Sequence, residues 1–329
     1  MEVQKILVIR FSSIGDIVLC SPVIRCLHQQ LNAEIHVLTK TRFASISESN
    51  PYVKKVWTLE EVQQNPKDLV QANFQFIVDL HANIRSKKIQ SLLKLPTYTL
   101  DKINVPKWLK VNLGLDVLPA KHIVDRMFEA IESLGVQNDG TGLDFFFTQQ
   151  EALEKKYPKR GSRIGVVLGG AHATKQIPNS LLERILQGLN AEVLLLGGPS
   201  EYVAAEHLAK KLSAVNCCGE TNLEGSAQLI ETCDLVITSD TGLMHMAAAL
   251  GKDIIVLWGS TIPEFGMYPY LVDGKGSVEH FEVKDLGCRP CSKIGFEACP
   301  WGHFNCMMKQ DVDSIRFCIR KRLESLESA

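Results

Sequence analysis

The sequence predicts an α/β protein made of two doubly wound domains that face a central cleft. Three observations carry this. The chain has 329 residues, more than one hydrophobic core comfortably holds. Short apolar runs alternate with segments of helical period, the pattern of parallel strands covered on both faces. The alternation also begins twice, once near the N-terminus and again at Arg163.

In the first half, KILVIR (Lys5 to Arg10) reads as a buried strand. Ile17 to Leu31 follows as a helix with Val23, Ile24, Leu27 and Leu31 on one face. Pro22 either sits early in that helix or lets Ser21 cap a later start. EIHVLT (Glu34 to Thr39), VKKVWT (Val53 to Thr58) and FQFIVDL (Phe74 to Leu80) are the next strands. Ile84 to Leu93 reads as a helix bearing Arg85, Lys87 and Lys88, either a solvated face or a contact for an acidic ligand. His122 to Leu134 is a further helix, stopped by Gly135. The turn-rich run NDGTG (Asn138 to Gly142), a charged helix (Glu151 to Tyr157) and PKRGS (Pro158 to Ser162) mark a boundary. The expected domains are residues 1–155 and 156–329.

The second half restarts with RIGVVL (Arg163 to Leu168) and the loop GGAHATK (Gly169 to Lys175). Helices are expected over Ser180 to Leu189, Tyr202 to Leu212, Leu223 to Cys233, Thr241 to Leu250 and Asp311 to Glu327. Strands are expected over Ala191 to Leu196, Asp234 to Thr238 and Ile254 to Trp258.

Charge and composition narrow the function. The 36 basic and 37 acidic residues nearly cancel, so nothing overall marks a nucleic-acid binder. The start, MEVQK, lacks the basic region and long apolar core of a signal peptide, and no run approaches 18 apolar residues. A cytosolic protein is expected, with peripheral membrane contact left open.

Two stretches raise chemistry. In VIRFSSIGDIV (Val8 to Val18), a buried strand runs into Ser12, Ser13, Gly15 and Asp16. Asp16 either caps the next helix or acts as a general base at a strand edge, with Ser12, Ser13 and Gly15 lining the site. In TSDTGLMH (Thr238 to His245), Asp240 precedes Thr241, Gly242 and Leu243, whose amides open a helix and suit a phosphate without a metal. His245 lies one turn further in, either a core histidine or a phosphate donor. Thr174 offers a hydroxyl and Lys175 a point charge for a departing diphosphate. Glu224, at another helix start, is either an N-terminal acid or an acceptor for ribose hydroxyls. Neither G-x-G-x-x-G nor the P-loop pattern is present, which argues against a nicotinamide enzyme and a P-loop NTPase.

Six of the ten cysteines lie in apolar surroundings and read as small hydrophobes. The other four, Cys288, Cys291, Cys299 and Cys306, are spaced C-x2-C-x7-C-x6-C. They form either a structural zinc site or a reduced knot packed by Pro290, Pro300 and Trp301.

VIRFSSIGDIV resembles the opening of the lipopolysaccharide heptosyltransferases, glycosyltransferase family 9. The similarity recurs in TNLEG (Thr221 to Gly225), SDTGLMH (Ser239 to His245), CRPC (Cys288 to Cys291) and CPWGH (Cys299 to His303). The resemblance implies a GT-B fold of two Rossmann-like domains, the first binding acceptor and the second ADP-sugar, with the last helix returning to the first. It implies an inverting, metal-independent transfer of L-glycero-D-manno-heptose from ADP-heptose to the lipopolysaccharide inner core at the inner membrane, with no cofactor required. It further implies that Asp16 is the base, that Lys175 neutralises the phosphates, that Glu224 holds the ribose, and that Asp240, Thr241, Gly242, Leu243 and His245 form the diphosphate turn. One departure is visible: Gln176, Ile177 and Pro178 stand where many members place an aromatic after the lysine. A different nucleotide sugar or acceptor, or an inactive nucleotide-sugar binding protein, is the alternative.

Overall fold

The computed structural model describes residues 3–327. Its strands form two sheets, and every strand pairing is parallel. The first sheet contains β1 (Lys5–Ile9), β2 (Glu34–Thr39), β3 (Val53–Thr58), β4 (Phe76–Asp79) and β5 (Thr97–Thr99), in the order β3-β2-β1-β4-β5. The second contains β6 (Arg163–Val167), β7 (Glu192–Leu196), β8 (Val215–Asn216), β9 (Leu235–Thr238), β10 (Asp253–Trp258) and β11 (Val278–Glu282), in the order β11-β10-β9-β6-β7-β8. The strand order reverses direction at β1/β4 in one sheet and at β6/β9 in the other. Doubly wound sheets bind ligands at such points, beyond the carboxyl ends of the strands.

The central strands are buried along their length, as strands covered on both faces must be. Leu7, Ile9, Leu38 and Ile77 anchor one core, and Val166, Leu195, Ile237 and Leu257 the other. Close packing also fixes Gly165 in β6, where a Cβ would lie 2.9 Å from Cys233 Sγ.

The segment after β1 forms two helices, Ile14–Val18 and Ser21–Leu31. Pro22 lies in the first turn of the second, where its missing N–H costs no hydrogen bond. Asn32 ends that helix in the left-handed region, at φ 50°. The expected helix from His122 becomes Ile123–Glu129 followed by a 3-10 turn, Glu132–Leu134. Cys20, Cys26, Cys217, Cys218 and Cys233 are buried, while Cys318 is half-buried.

By its internal contacts the chain divides into two units. The first comprises Met1–Ile103 and Ala120–Phe146, the second Asn104–Pro119 and Phe147–Ala329. This division falls before the expected border at residue 155. The reason lies in the helix Glu151–Lys156: Leu153 packs at Gly225, and Gln150 exchanges hydrogen bonds with Gln228.

The final helix, Val312–Glu327, packs one face into the second unit. Ile315, Ile319 and Leu323 recur at helical spacing and are buried in the core of the second unit. Arg316 donates to the carbonyls of Arg184, Ile185 and Gln187 at 2.8–3.0 Å, closing the open end of the helix Asn179–Leu186.

Candidate active site

In the second unit the candidate residues gather at the β6/β9 reversal. The chain leaves β6 through Gly169 and Gly170 and makes a 3-10 turn, Ala173–Lys175. Lys175 Nζ lies 2.7 Å from Asp240 Oδ2, and both side chains are largely shielded from solvent. Thr261 donates its hydroxyl to the same oxygen at 2.8 Å. Thr241 caps the helix Gly242–Ala249 by accepting from the Met244 N–H at 3.3 Å. Gly242 and Leu243 therefore hold the first two positions of that helix, whose N–H groups have no intrahelical acceptor. A Cβ on Gly170 would meet the Thr241 methyl at 3.7 Å, so the glycine loop lies against the cap. An ammonium, a helix N-terminus and an uncrowded loop thus meet at one strand edge, an arrangement suited to a diphosphate.

His245 lies one turn into this helix and is buried. Glu224 sits in the first turn of the helix Leu223–Thr232, which Asn222 caps by accepting from the Gly225 N–H at 2.8 Å. That helix leads into β9, so its N-terminus also lies at the carboxyl edge of the sheet.

Thr174 corrects the expectation that its hydroxyl serves a ligand. It is 3 % exposed, and its own fold uses it fully. Its Oγ1 accepts from the Phe296 N–H at 2.7 Å and from the Ser260 hydroxyl at 3.0 Å, and donates to the Phe296 carbonyl at 3.1 Å. The residue pins the lysine loop to the cysteine-rich segment. Gly295 completes this contact, because a Cβ there would fall 2.9 Å from His172 Cβ.

Arg289, which drew no attention within CRPC, organises the other wall. Its guanidinium donates to the carbonyls of Gly259 at 2.8 Å and Thr261 at 2.9 Å, and pairs with Glu282 at 2.6 Å. It thereby holds the strand exit that presents Thr261 to Asp240. An arginine inside a cysteine motif was the available signal, but its partners lie too far along the chain to read.

The four clustered cysteines lie in the segment that faces the lysine loop. Cys291 donates its thiol to the Cys288 carbonyl at 2.9 Å, and Cys288 Sγ lies 4.0 Å from His303 Nε2. Burial, reinforced by the neighbouring thiols, pushes Cys291 up to about 11 and Cys306 up to about 12. Among the described residues no three His, Cys, Asp or Glu side chains are arranged to hold an ion.

In the first unit the candidate residues lie at the β1/β4 reversal. Asp16 occupies the third position of the helix Ile14–Val18. Its Oδ2 accepts from the Ser13 N–H at 2.9 Å and the Ser13 hydroxyl at 2.8 Å, while Oδ1 pairs with Arg10. The capping reading therefore describes part of what Asp16 does. Arg10 also donates to the Ser12 carbonyl at 2.9 Å and to the Leu80 carbonyl, tying the β1 and β4 ends together. Gly15 is buried in the same turn, and its carbonyl accepts from the Leu19 N–H at 2.9 Å. Ser12 and Gly15 thus shape the turn through their backbones.

His81, directly beyond β4, was passed over as the residue after a strand. It is buried, its ring meets Phe11 edge-on at 4.9 Å, and its Nδ1 has no hydrogen-bond partner. Burial, then the charges of Arg10 and Lys102, push its pKa from the ordinary 6.5 down to about 3. Asp79 fixes the turn by accepting from the N–H groups of His81 at 2.9 Å and Ala82 at 2.8 Å. The first unit thus presents a carboxylate, a guanidinium and a neutral imidazole at one strand edge.

The family described as glycosyltransferase family 9 (heptosyltransferase) matches residues 63–295. Lipooligosaccharide heptosyltransferase 2 of Haemophilus influenzae is 32 % identical over 125 residues, which span 36 % of this chain and 36 % of that protein. A glycosyl transferase family 9 structure from Veillonella parvula superposes with a TM-score of 0.79 at 17 % identity, covering 99 % of both chains. The structure of E. coli ADP-heptose lps heptosyltransferase II gives 0.73 at 18 % identity, covering 98 % of this chain and 100 % of that one.

Proposed function

Because the chain belongs to glycosyltransferase family 9, we propose that it transfers L-glycero-D-manno-heptose from ADP-heptose to the lipopolysaccharide inner core, with inversion at the anomeric carbon. The observation that carries this reading is the Lys175–Asp240 pair at the β6/β9 reversal, beside the helix that opens at Gly242. A nucleoside diphosphate is the leaving group such a site suits. The names of the relatives supply the sugar and the acceptor class.

In this reading the first unit binds acceptor and the second binds donor. Asp16 takes the proton of the attacking hydroxyl as the new glycosidic bond forms, and the anomeric carbon–oxygen bond to ADP breaks on the opposite face. Arg10 and Ser13 hold the Asp16 carboxylate in place. Lys175 and the amides of Thr241, Gly242 and Leu243 receive the charge growing on the diphosphate. Asp240 orients Lys175, Glu224 accepts from the ribose hydroxyls, and His245 supports the diphosphate turn. The chemical step draws on no metal.

The test is ADP release from ADP-L-glycero-D-manno-heptose with a heptose-deficient core acceptor. Acceptor-dependent release should fall roughly 10²–10⁴-fold in Asp16→Asn, the usual worth of general acid–base catalysis. Native protein that binds ADP yet releases none from this donor would sink the reading.

A further inference from the structure

A single four-residue turn holds the strand exit beside the Lys175–Asp240 pair, and a cysteine stands at each of its ends. Within Cys288–Cys291 the Arg289 guanidinium donates to the Gly259 carbonyl at 2.8 Å and the Thr261 carbonyl at 2.9 Å. The Cys291 N–H donates to the carbonyl between them, that of Ser260, at 3.2 Å. Three consecutive carbonyls beyond β10 are thus held by one C-x2-C turn. The segment they belong to has no slack. A Cβ on Gly259 would fall 2.7 Å from the Thr174 carbonyl oxygen. Ser260 donates its hydroxyl to Thr174 at 3.0 Å, and Thr261 donates its own to Asp240 at 2.8 Å. A change in the turn therefore reaches the partner of Lys175.

The two thiols are placed to react with each other. Cys291 Sγ lies 2.9 Å from the Cys288 carbonyl oxygen, and the Cys288 thiol also hydrogen-bonds the Cys291 side chain. Residues three apart in a turn lie within the Cα separation that a disulfide needs. Cys288 and Cys291 are both partly open to solvent, whereas Cys306 is buried. His303 Nδ1 accepts from the Asn305 N–H at 3.0 Å, so the neutral ring carries its proton on Nε2, 4.0 Å from Cys288 Sγ. The ring thus offers an N–H to that sulfur as it takes on charge.

We propose that Cys288 and Cys291 are a reversible redox modification site: a low-molecular-weight disulfide converts them to a protein disulfide, which loosens Thr261 from Asp240 and weakens the donor site. The Cys288 thiolate attacks one sulfur of the reagent. The reagent's S–S bond breaks, and one reagent thiol departs with the proton that Cys288 gave up. Cys291 then loses its proton and attacks the Cys288 sulfur of the mixed disulfide, and the second reagent thiol leaves with that proton. The protein loses two electrons and two protons, and the reagent gains both. The new bond takes the Cys291 sulfur off the Cys288 carbonyl and re-aims the turn that carries Arg289 and the Cys291 N–H. The inference rests on the transferase reading for what weaker donor binding means, while the bond and the loosening stand apart from it.

Full-length reduced protein is treated with oxidised glutathione and its disulfides are mapped by mass spectrometry. A Cys288–Cys291 bond should form and be reversed by dithiothreitol. Peptides carrying Thr261 and Asp240 should then exchange their amide hydrogens faster. Calorimetry should show ADP affinity lowered at least about fivefold, the lower end of ordinary coupling between two sites. Cys288→Ser should match reduced native protein in melting and ADP affinity and lose the response to the reagent, whereas Cys299→Ser should keep it. Should Cys288→Ser fail to fold, Cys291→Ser takes its place. A bond to Cys299 or Cys306 instead overturns the proposal, as does a Cys288–Cys291 bond that changes neither exchange nor ADP affinity. So do thiols that stay unreactive until a chelator removes a metal. Reduced native protein that fails to bind ADP counts against the transferase reading alone, because mapping and exchange still decide whether the bond forms and frees Thr261.

Discussion

Lys175→Ala tests the candidate site most directly. The substitution removes an ammonium 2.7 Å from Asp240 Oδ2, in a pair whose side chains are only 16 % and 14 % exposed. Exposed pairs contribute about 0–1 kcal/mol, whereas stripping one partner from a fully buried pair costs about 3–5 kcal/mol. Asp240 keeps the Thr261 hydroxyl at 2.8 Å and sits just before a helix N-terminus, which favours its charge. The expected loss of stability is therefore about 1–2 kcal/mol by urea unfolding. Adding Asp240→Asn removes the stranded charge and should restore most of it.

Turnover should behave differently. Losing one preorganised group that meets developing charge costs about 10²–10³ in kcat. A protein of ordinary stability, about 5–15 kcal/mol, stays folded after losing 1–2 kcal/mol, so unfolding cannot account for that drop. Calorimetry should show weaker ADP binding in Lys175→Ala. The two single substitutions should also be non-additive in turnover, because Asp240 acts through Lys175. Native-like ADP affinity in Lys175→Ala, together with strictly additive losses in the double variant, would refute the assignment.

Three further outcomes follow from other parts of the structure. Thr174→Val keeps the shape but strands the Phe296 N–H, so stability should fall by about 1–3 kcal/mol in urea unfolding; weaker donor binding with undiminished stability would return Thr174 to the ligand. His81 is held neutral when folded, so the unfolded chain binds the extra proton between pH 6.5 and about 3. Its contribution to stability is complete above pH 6.5 and is lost as pH falls towards 3, and His81→Gln should flatten unfolding free energy between pH 6.5 and 5 relative to native protein. If the Cys291 thiol stays on the Cys288 carbonyl, dialysis against a chelator should leave melting unchanged; a fall in melting temperature reversed by zinc would show that the four clustered cysteines hold a metal instead.

Much of the fold was legible because buried parallel strands are written as unbroken apolar runs, and EIHVLT and IIVLW fall on β2 and β10. The strands that escaped are edge strands. Thr97–Thr99 and Val278–Glu282 are short or half exposed, with polar residues that carry no such signature. The helix Asn104–Leu113 escaped for a different reason. Pro106 and Asn112 interrupt its pattern, and without a buried face there is no core stripe to detect. Thr174 was misread because its partner Phe296 lies 122 residues away. A hydroxyl in a glycine loop looks the same in sequence whether it meets a ligand or a distant carbonyl.

Strand order supplies what strand detection cannot. Many loops leave the carboxyl ends of these strands, and a sequence gives no ground for preferring one. Once the orders β3-β2-β1-β4-β5 and β11-β10-β9-β6-β7-β8 are known, two loop pairs stand out, at β1/β4 and at β6/β9. There adjacent crossovers run to opposite sides of the sheet and leave a crevice open. The first pair brings Asp16 and Arg10 beside His81, and the second brings Lys175 onto Asp240. Asp16, Lys175 and Asp240 could be picked out one at a time as polar residues after apolar runs. That Lys175 answers Asp240 depends on which strands are neighbours. The same order explains why Arg10 was overlooked: it ends a buried strand, and it becomes part of the site only because β4 lies beside β1 and offers the Leu80 carbonyl as its second anchor.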